Sequence, residues 1–105
     1  MASSNEFPGY SEARATLRLR DGRALGYLEV GQRDGAPLFH CHGDPSSRLE
    51  VLLFAEQAAA LGVRLIGLDR PGMGRSDPKP GFGLLDWPND VADVADTLSR
   101  HTVVV

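Results

Sequence analysis

Two short, mainly apolar runs, Pro37–Cys41 and Val63–Leu68, are separated by residues 42–62, whose middle reads as helical. The first run is apolar on both faces, as expected for a central strand covered on both sides. A strand, a helix and a second strand in that order call for a right-handed crossover and a parallel pair. This unit constrains the chain more than any other feature, because such a pair needs helices packed over its sheet.

The flanking segments extend the sheet. Thr16–Arg20 alternates and predicts a half-exposed strand. Asp21-Gly22 is a hairpin turn pair, and Ala24–Val30 returns as the second strand. Gly31–Ala36, with Asp34-Gly35 inside it, is another turn. The crossover helix is expected over about Arg48–Leu61, with Leu49, Leu52, Leu53 and Ala60 on its apolar face and Gly62 as its stop. A second helix is expected from about Asp86, capped by Asp86 or Trp87 and carrying Pro88 in its first turn. Asp90 suits its positive end, and Val91, Val94, Ala95 and Leu98 form an inward face. His101–Val105 opens a fifth strand. The predicted class is α/β, with an N-terminal hairpin leading into a mostly parallel sheet flanked by helices. Residues 1–14 read as a loose tail and 15–105 as one structural unit.

Composition excludes several roles. A net charge of −3 with interspersed signs leaves no basic stripe, so nucleic acid is not an expected partner. Met1–Glu6 lacks the basic and apolar regions of a signal peptide, and no apolar run approaches the ~20 residues of a membrane span. One cysteine, Cys41, excludes an internal disulfide and fits a reducing, cytoplasmic setting. The last strand stops mid-run at Val105. Because an apolar edge invites pairing, the sequence reads as the N-terminal piece of a longer protein, open to self-association through that strand.

Two motifs could carry chemistry. At His42-Gly43-Asp44-Pro45 a strand ends, the backbone turns, and a helix opens; Ser47 and Glu50 have capping-box spacing. One reading is half of an oxyanion hole, with Gly43 allowing close approach and the Asp44 N–H as a donor. The other is an ordinary strand-to-helix turn. The second motif is Asp69-Arg-Pro-Gly-Met-Gly-Arg-Ser-Asp77. A dinucleotide fingerprint would need glycine where Asp77 stands and a helix where Pro78 follows, so no cofactor is expected. The alternative is a structural loop in which Arg75 and Asp77 form a salt-bridged turn. His40 and His42, two apart on a strand, read as buried structural histidines; no third metal ligand is placed, and no metal is expected. Cys41, on the opposite face, reads as a small core residue, Trp87 as packing, and His101 as a favourable charge at a helix end.

Together, the His-Gly-x-Pro and Asp-Arg-Pro-Gly-x-Gly-x-Ser-Asp motifs resemble the α/β-hydrolase fold family. Leu84–Val91 is similar to the next helix in a subgroup of these enzymes, and the resemblance covers about Thr16–Val105. That subgroup tends to read His-Gly-Thr-Pro-Gly-Ser-Arg; here Asp44 replaces the Thr and Ser46 the Gly. The resemblance implies that the Asp44 N–H is one oxyanion donor, that His42 and Gly43 shape its loop, and that Asp44-Pro45 is a cis peptide. It implies that the Asp69–Asp77 loop borders the site. It also implies a sheet order with strand four between two and three, and strand five beside three. The family's nucleophile lies in G-x-S-x-G after strand five, followed by an acid and a histidine. No serine of this chain sits in that motif, and no histidine follows His101. The nucleophile (Ser, Asp or Cys) is therefore left open. Loss of a nucleophile or base costs on the order of 10⁶ in kcat. The expectation is thus the N-terminal part of a hydrolase of an ester, amide, epoxide or similar small molecule, inactive alone. The alternative is a short non-catalytic interaction module or truncated product.

Overall fold

In the computed structural model, which describes residues 15–43, 46–98 and 103–104, five strands form one sheet. They are β1 (Thr16–Arg18), β2 (Ala24–Gly31), β3 (Ala36–Cys41), β4 (Val63–Leu68) and β5 (Val103–Val104). Their order is β1-β2-β4-β3-β5, with strand four between two and three as the resemblance implied.

The sheet is mixed, which corrects the expectation of a mostly parallel one. β1–β2 and β2–β4 are antiparallel, and β4–β3 and β3–β5 are parallel. The cause is the short connection after β2, closed by Gly35 N–H donating to the Gln32 carbonyl at 2.9 Å. It reverses the chain, so β3 runs against β2. The crossover then lays β4 parallel to β3 in the slot between them, with Leu38 beside Leu65 and His40 beside Gly67.

The pleat divides the apolar residues between two cores. On one face Leu25, Phe39, Ile66 and Leu68 pack with Trp87, Val91 and Val94 of the second helix, α2 (Trp87–Leu98 in chain order, after α1). On the other face Leu28, Val30 and Leu65 meet Val51 and Ala58 of the crossover segment. That segment is a 3₁₀ stretch, Arg48–Phe54, continuing into the short helix α1 (Ala55–Ala60).

The 3₁₀ stretch overturns the predicted apolar face. Leu49, Leu52 and Ala60 are exposed and Leu53 is 73% exposed, whereas Val51 is fully buried. A 3₁₀ helix repeats every three residues. Arg48 and Val51 therefore face the sheet, and after the change to α geometry Ala55 and Ala58 take over. A 3.6-residue count from Leu49 lands on the solvent side.

The second helix follows its sequence pattern more closely. Val91 and Val94 are buried, and Ala95 and Leu98 pack against the same core. Its entry is a 3₁₀ turn, Leu84–Asp86, where the Asp86 carboxylate accepts from the Gly83 N–H at 2.8 Å. Asp90 is 3% exposed and takes both Nη groups of Arg23, tying the β1–β2 turn to α2 rather than merely serving the helix dipole. Glu29 and Arg64 form a second ion pair on this face. No helix among the described residues is long and apolar enough to cross a membrane.

Candidate functional site

The ends of the parallel strands β3 and β4 lie side by side, and both motifs leave from there. Asp69, directly after β4, is completely buried. An ionised carboxylate removed from water needs charge and donors around it. Its Oδ1 accepts from the Arg48 N–H at 2.6 Å, and its Oδ2 from Arg48 Nη1 at 3.0 Å and the Arg75 N–H at 2.9 Å. Its own backbone accepts from the Ser76 hydroxyl at 2.7 Å and donates to Gly26 at 2.8 Å. One side chain thus joins the crossover segment to the glycine loop. Gly74, at φ +53°, and Gly26 approach it so closely that a Cβ at either would fall inside contact distance of the carboxylate.

Arg75 and Asp77 do not form the expected salt-bridged turn among the described contacts. Arg75 uses its backbone on Asp69, and the Asp77 carboxylate accepts from the Ala24 N–H at 2.8 Å. The Asp77 N–H returns to the Ala24 carbonyl, so the loop end is stitched to β2. Asp77 is therefore spent where a third fingerprint glycine would have stood, and no helix opens there.

His42 ends β3 fully buried. The Arg70 N–H donates to its Nε2 at 3.1 Å, so Nε2 carries no proton, and Nδ1–H donates to the Gly43 carbonyl at 2.5 Å. Both ring nitrogens are therefore engaged by backbone groups. Arg70 Nε donates to the His42 carbonyl at 2.9 Å, and its guanidinium lies 5.1 Å from the centre of the Trp87 ring. The Trp87 N–H in turn meets Cys41 Sγ at 3.3 Å. Cys41 and Trp87 are packing residues, as read from the sequence.

Asp44 and Pro45 lie outside the described residues, as do residues 1–14 and His101; the oxyanion donor and the cis peptide assigned to Asp44-Pro45 fall there. What brackets Asp44 is described. Gly43 is exposed, and its N–H donates to Glu50 Oε2 at 3.3 Å. Glu50 Oε1 lies 2.6 Å from His40 Nε2, which must carry the proton because a carboxylate only accepts. The hydrogen bond from His40, then one from the Ser46 side chain, hold the Glu50 carboxyl down to about 2. The expected capping box is thus half made: Ser47 Oγ accepts from Leu49 N–H at 3.2 Å, but Glu50 turns away from its helix. The N–H groups at the helix start are also taken, Arg48's by Asp69 and Glu50's by the Ser47 carbonyl.

His40 and His42 do not converge. One turns to the crossover segment and the other to Arg70. Ser47 and Ser76 hydrogen-bond to backbone groups and Ser46 to the Glu50 carboxylate, and none of these contacts pairs a serine with a histidine. A separate apolar groove of about 320 Å³ lies beside α1, lined by Leu38, Phe54, Leu61 and Val63 among others.

Sequence reasoning missed Asp69, Arg48, Arg70 and Glu50 as the residues that hold this site. The available signal was an aspartate directly after an apolar strand. Such a residue is buried by position and needs a cation, and Arg48 begins the segment that crosses over it.

No family model matches the chain. It is 35% identical over 94 residues to a non-heme chloroperoxidase of Streptomyces lividans, which covers 85% of this chain and 33% of that protein. Among solved structures it superposes on an α/β hydrolase from Sphaerobacter thermophilus with a TM-score of 0.73 at 26% identity, over 86% of this chain and 34% of that one. An esterase from Exiguobacterium antarcticum gives 0.74 at 22% identity, over 87% and 34%. The chain spans about a third of the length of these relatives.

Proposed function

We propose that this chain, a relative of α/β-hydrolase-fold proteins matched along the N-terminal third of their length, supplies one wall of a hydrolase site. The whole protein would act on an ester, amide, epoxide or similar small molecule. The turn from His42 to Ser47 would present the Asp44 N–H to the developing oxyanion, and the Asp69–Asp77 loop would form the neighbouring rim. The observation that carries this reading is the locked geometry around the turn. His42 is held by the Arg70 backbone N–H and Nε, and Gly43 and Ser46 are both held by the Glu50 carboxylate, so the residues on either side of Asp44-Pro45 are tied down before substrate arrives. Preorganised donors are what oxyanion stabilisation requires, and one such donor is worth about 2.7–4 kcal/mol.

The described residues offer no nucleophile with a free base beside it. The isolated 105 residues should therefore not hydrolyse p-nitrophenyl acetate above background, whereas the native polypeptide carrying them should turn over an activated ester or an epoxide. Turnover by the purified 105-residue chain that vanishes on deletion of Asp44 would defeat the first half. A native polypeptide inert to both substrate classes would defeat the second.

A second reading rests on the sheet edge: β5 has a neighbour on only one side among the described residues. A non-catalytic module would pair through it. Sedimentation of the 105-residue chain at micromolar concentration separates the readings, since a clean monomer removes the pairing module.

A further inference from the structure

Four arginines among the described residues are buried or half-buried: Arg23, Arg48, Arg64 and Arg70. Three of them are paired with carboxylates, Arg23 with Asp21 and Asp90, Arg48 with Asp69, and Arg64 with Glu29. Arg70 has no carboxylate partner among the described residues. Its Nε donates to the His42 carbonyl at 2.9 Å, and its guanidinium lies 5.1 Å from the centre of the Trp87 ring. Those two contacts hold the group in place and leave Nη1 and Nη2 with no hydrogen bond among the described residues. A partly desolvated cation held in this way is costly without an anion beside it.

The place of Arg70 in the fold is a second observation. The crossover segment that follows β3 packs on one face of the sheet, and α2, which follows the loop from β4, packs on the other. The chain therefore parts in opposite directions at the neighbouring ends of β3 and β4. Open α/β sheets bind ligands in the crevice that such a divergence leaves. Arg70 stands at that divergence, with its N–H on His42 Nε2 at 3.1 Å. We propose that Arg70 is a specificity-determining residue, and that its Nη1 and Nη2 bind a carboxylate of the substrate remote from the bond that is broken. The inference rests on the hydrolase reading and deepens it by naming the substrate class: a small ester, amide or epoxide that also carries a carboxylate. A guanidinium suits this task. Its two Nη–H groups are coplanar and match the two oxygens of a carboxylate, and an aromatic ring stacked on it shields one face from water.

The test compares two p-nitrophenyl esters of equal chain length on the native polypeptide: the neutral pentanoate, and the glutarate half-ester, which ends in a free carboxylate. Wild type, Arg70→Met, Arg70→Lys and the control Arg33→Met are measured; Arg33 is exposed in the turn before β3, at the other end of that strand. The ratio of kcat/KM, half-ester over pentanoate, should fall about 10- to 100-fold in Arg70→Met, as expected for lost hydrogen bonds between charged groups. Arg70→Lys keeps the charge and loses the fork, so its ratio should lie between. Arg33→Met should keep the wild-type ratio. Calorimetric titration with glutarate itself reads binding without turnover, and the affinity should drop about 10- to 100-fold in Arg70→Met. Equal losses on the two esters would mean that Arg70 only holds His42 in place, and they overturn the proposal. So does a glutarate affinity that is the same in wild type and Arg70→Met. A wild type that turns over neither ester, while its glutarate affinity still depends on Arg70, defeats the hydrolase reading and leaves the carboxylate site standing.

Discussion

Replacing Asp69 by alanine is the perturbation most directly worked from the structure. The side chain is wholly buried, its partner Arg48 is 8% exposed, and three hydrogen bonds converge on it. Removing the carboxylate takes this counter-charge from a buried guanidinium and leaves the Arg75 and Arg48 amides without this acceptor. Breaking a buried pair costs about 3–5 kcal/mol. Domains are stable by only about 0.05–0.15 kcal/mol per residue, so a chain of this length has roughly 5–15 kcal/mol in all. Urea unfolding followed by far-ultraviolet circular dichroism reads the loss. With a slope of about 2 kcal/mol per molar urea, the middle of the range for small domains, the midpoint should fall by about 1.5–2.5 M. Asp69→Asn should cost nearly as much, because its amide nitrogen would face a donor. The double variant Asp69→Ala/Arg48→Met should recover part of the loss, since the buried positive charge is gone with its counter-charge. A midpoint shift below about 0.5 M for Asp69→Ala, corresponding to no more than about 1 kcal/mol, would refute the role of Asp69 as the joint of the site.

Two further outcomes follow from the same geometry. Val51→Ala should destabilise by about 1.5 kcal/mol or more, from the two buried carbons lost and the cavity left, while Leu53→Ala should stay within about 0.5 kcal/mol; equal effects in urea melts would contradict the 3₁₀ register. Glu50 is held at about 2 against an ordinary 4.5, so between those values the unfolded chain binds more protons and stability rises with pH. The Tm gap between wild type and Glu50→Gln should therefore be widest above pH 4.5 and close as pH falls toward 2. A gap that is constant across that range would rule out the carboxylate contacts described.

The sheet was legible because its signals are long-range in pattern but local in cause. Asp21-Gly22 forces a hairpin, and two apolar runs joined by a helix force a parallel pair. The order of strands came from resemblance, and the sheet has that order. The mixed pairing was implicit in the short turn after β2, whose consequence appears only when β4 is inserted beside β2. The face of the crossover segment was not legible, since composition does not announce a 3₁₀ start, and one such turn rotates every later residue. The place of the turn after β3 was legible, and the contacts around it were not. His42 and Gly43 stand at the end of β3 as expected, but the residues that hold them act across the chain. Arg70 lies 28 residues from His42, and Asp69 lies 21 from Arg48. Spacing along the sequence gives no hint of such contacts. Glu50 was read as a cap because the local pattern fits one, and the tertiary partners His40 and Gly43 won the competition for its carboxylate.

The proposal that these residues form part of a larger hydrolase is tested by the intact mass of the native polypeptide. The relatives are matched over about a third of their length, so the account expects a mass about three times that of the 105 residues. A native polypeptide with the mass of the 105 residues alone would contradict it, leaving a hydrolase-like fold with no place for a nucleophile.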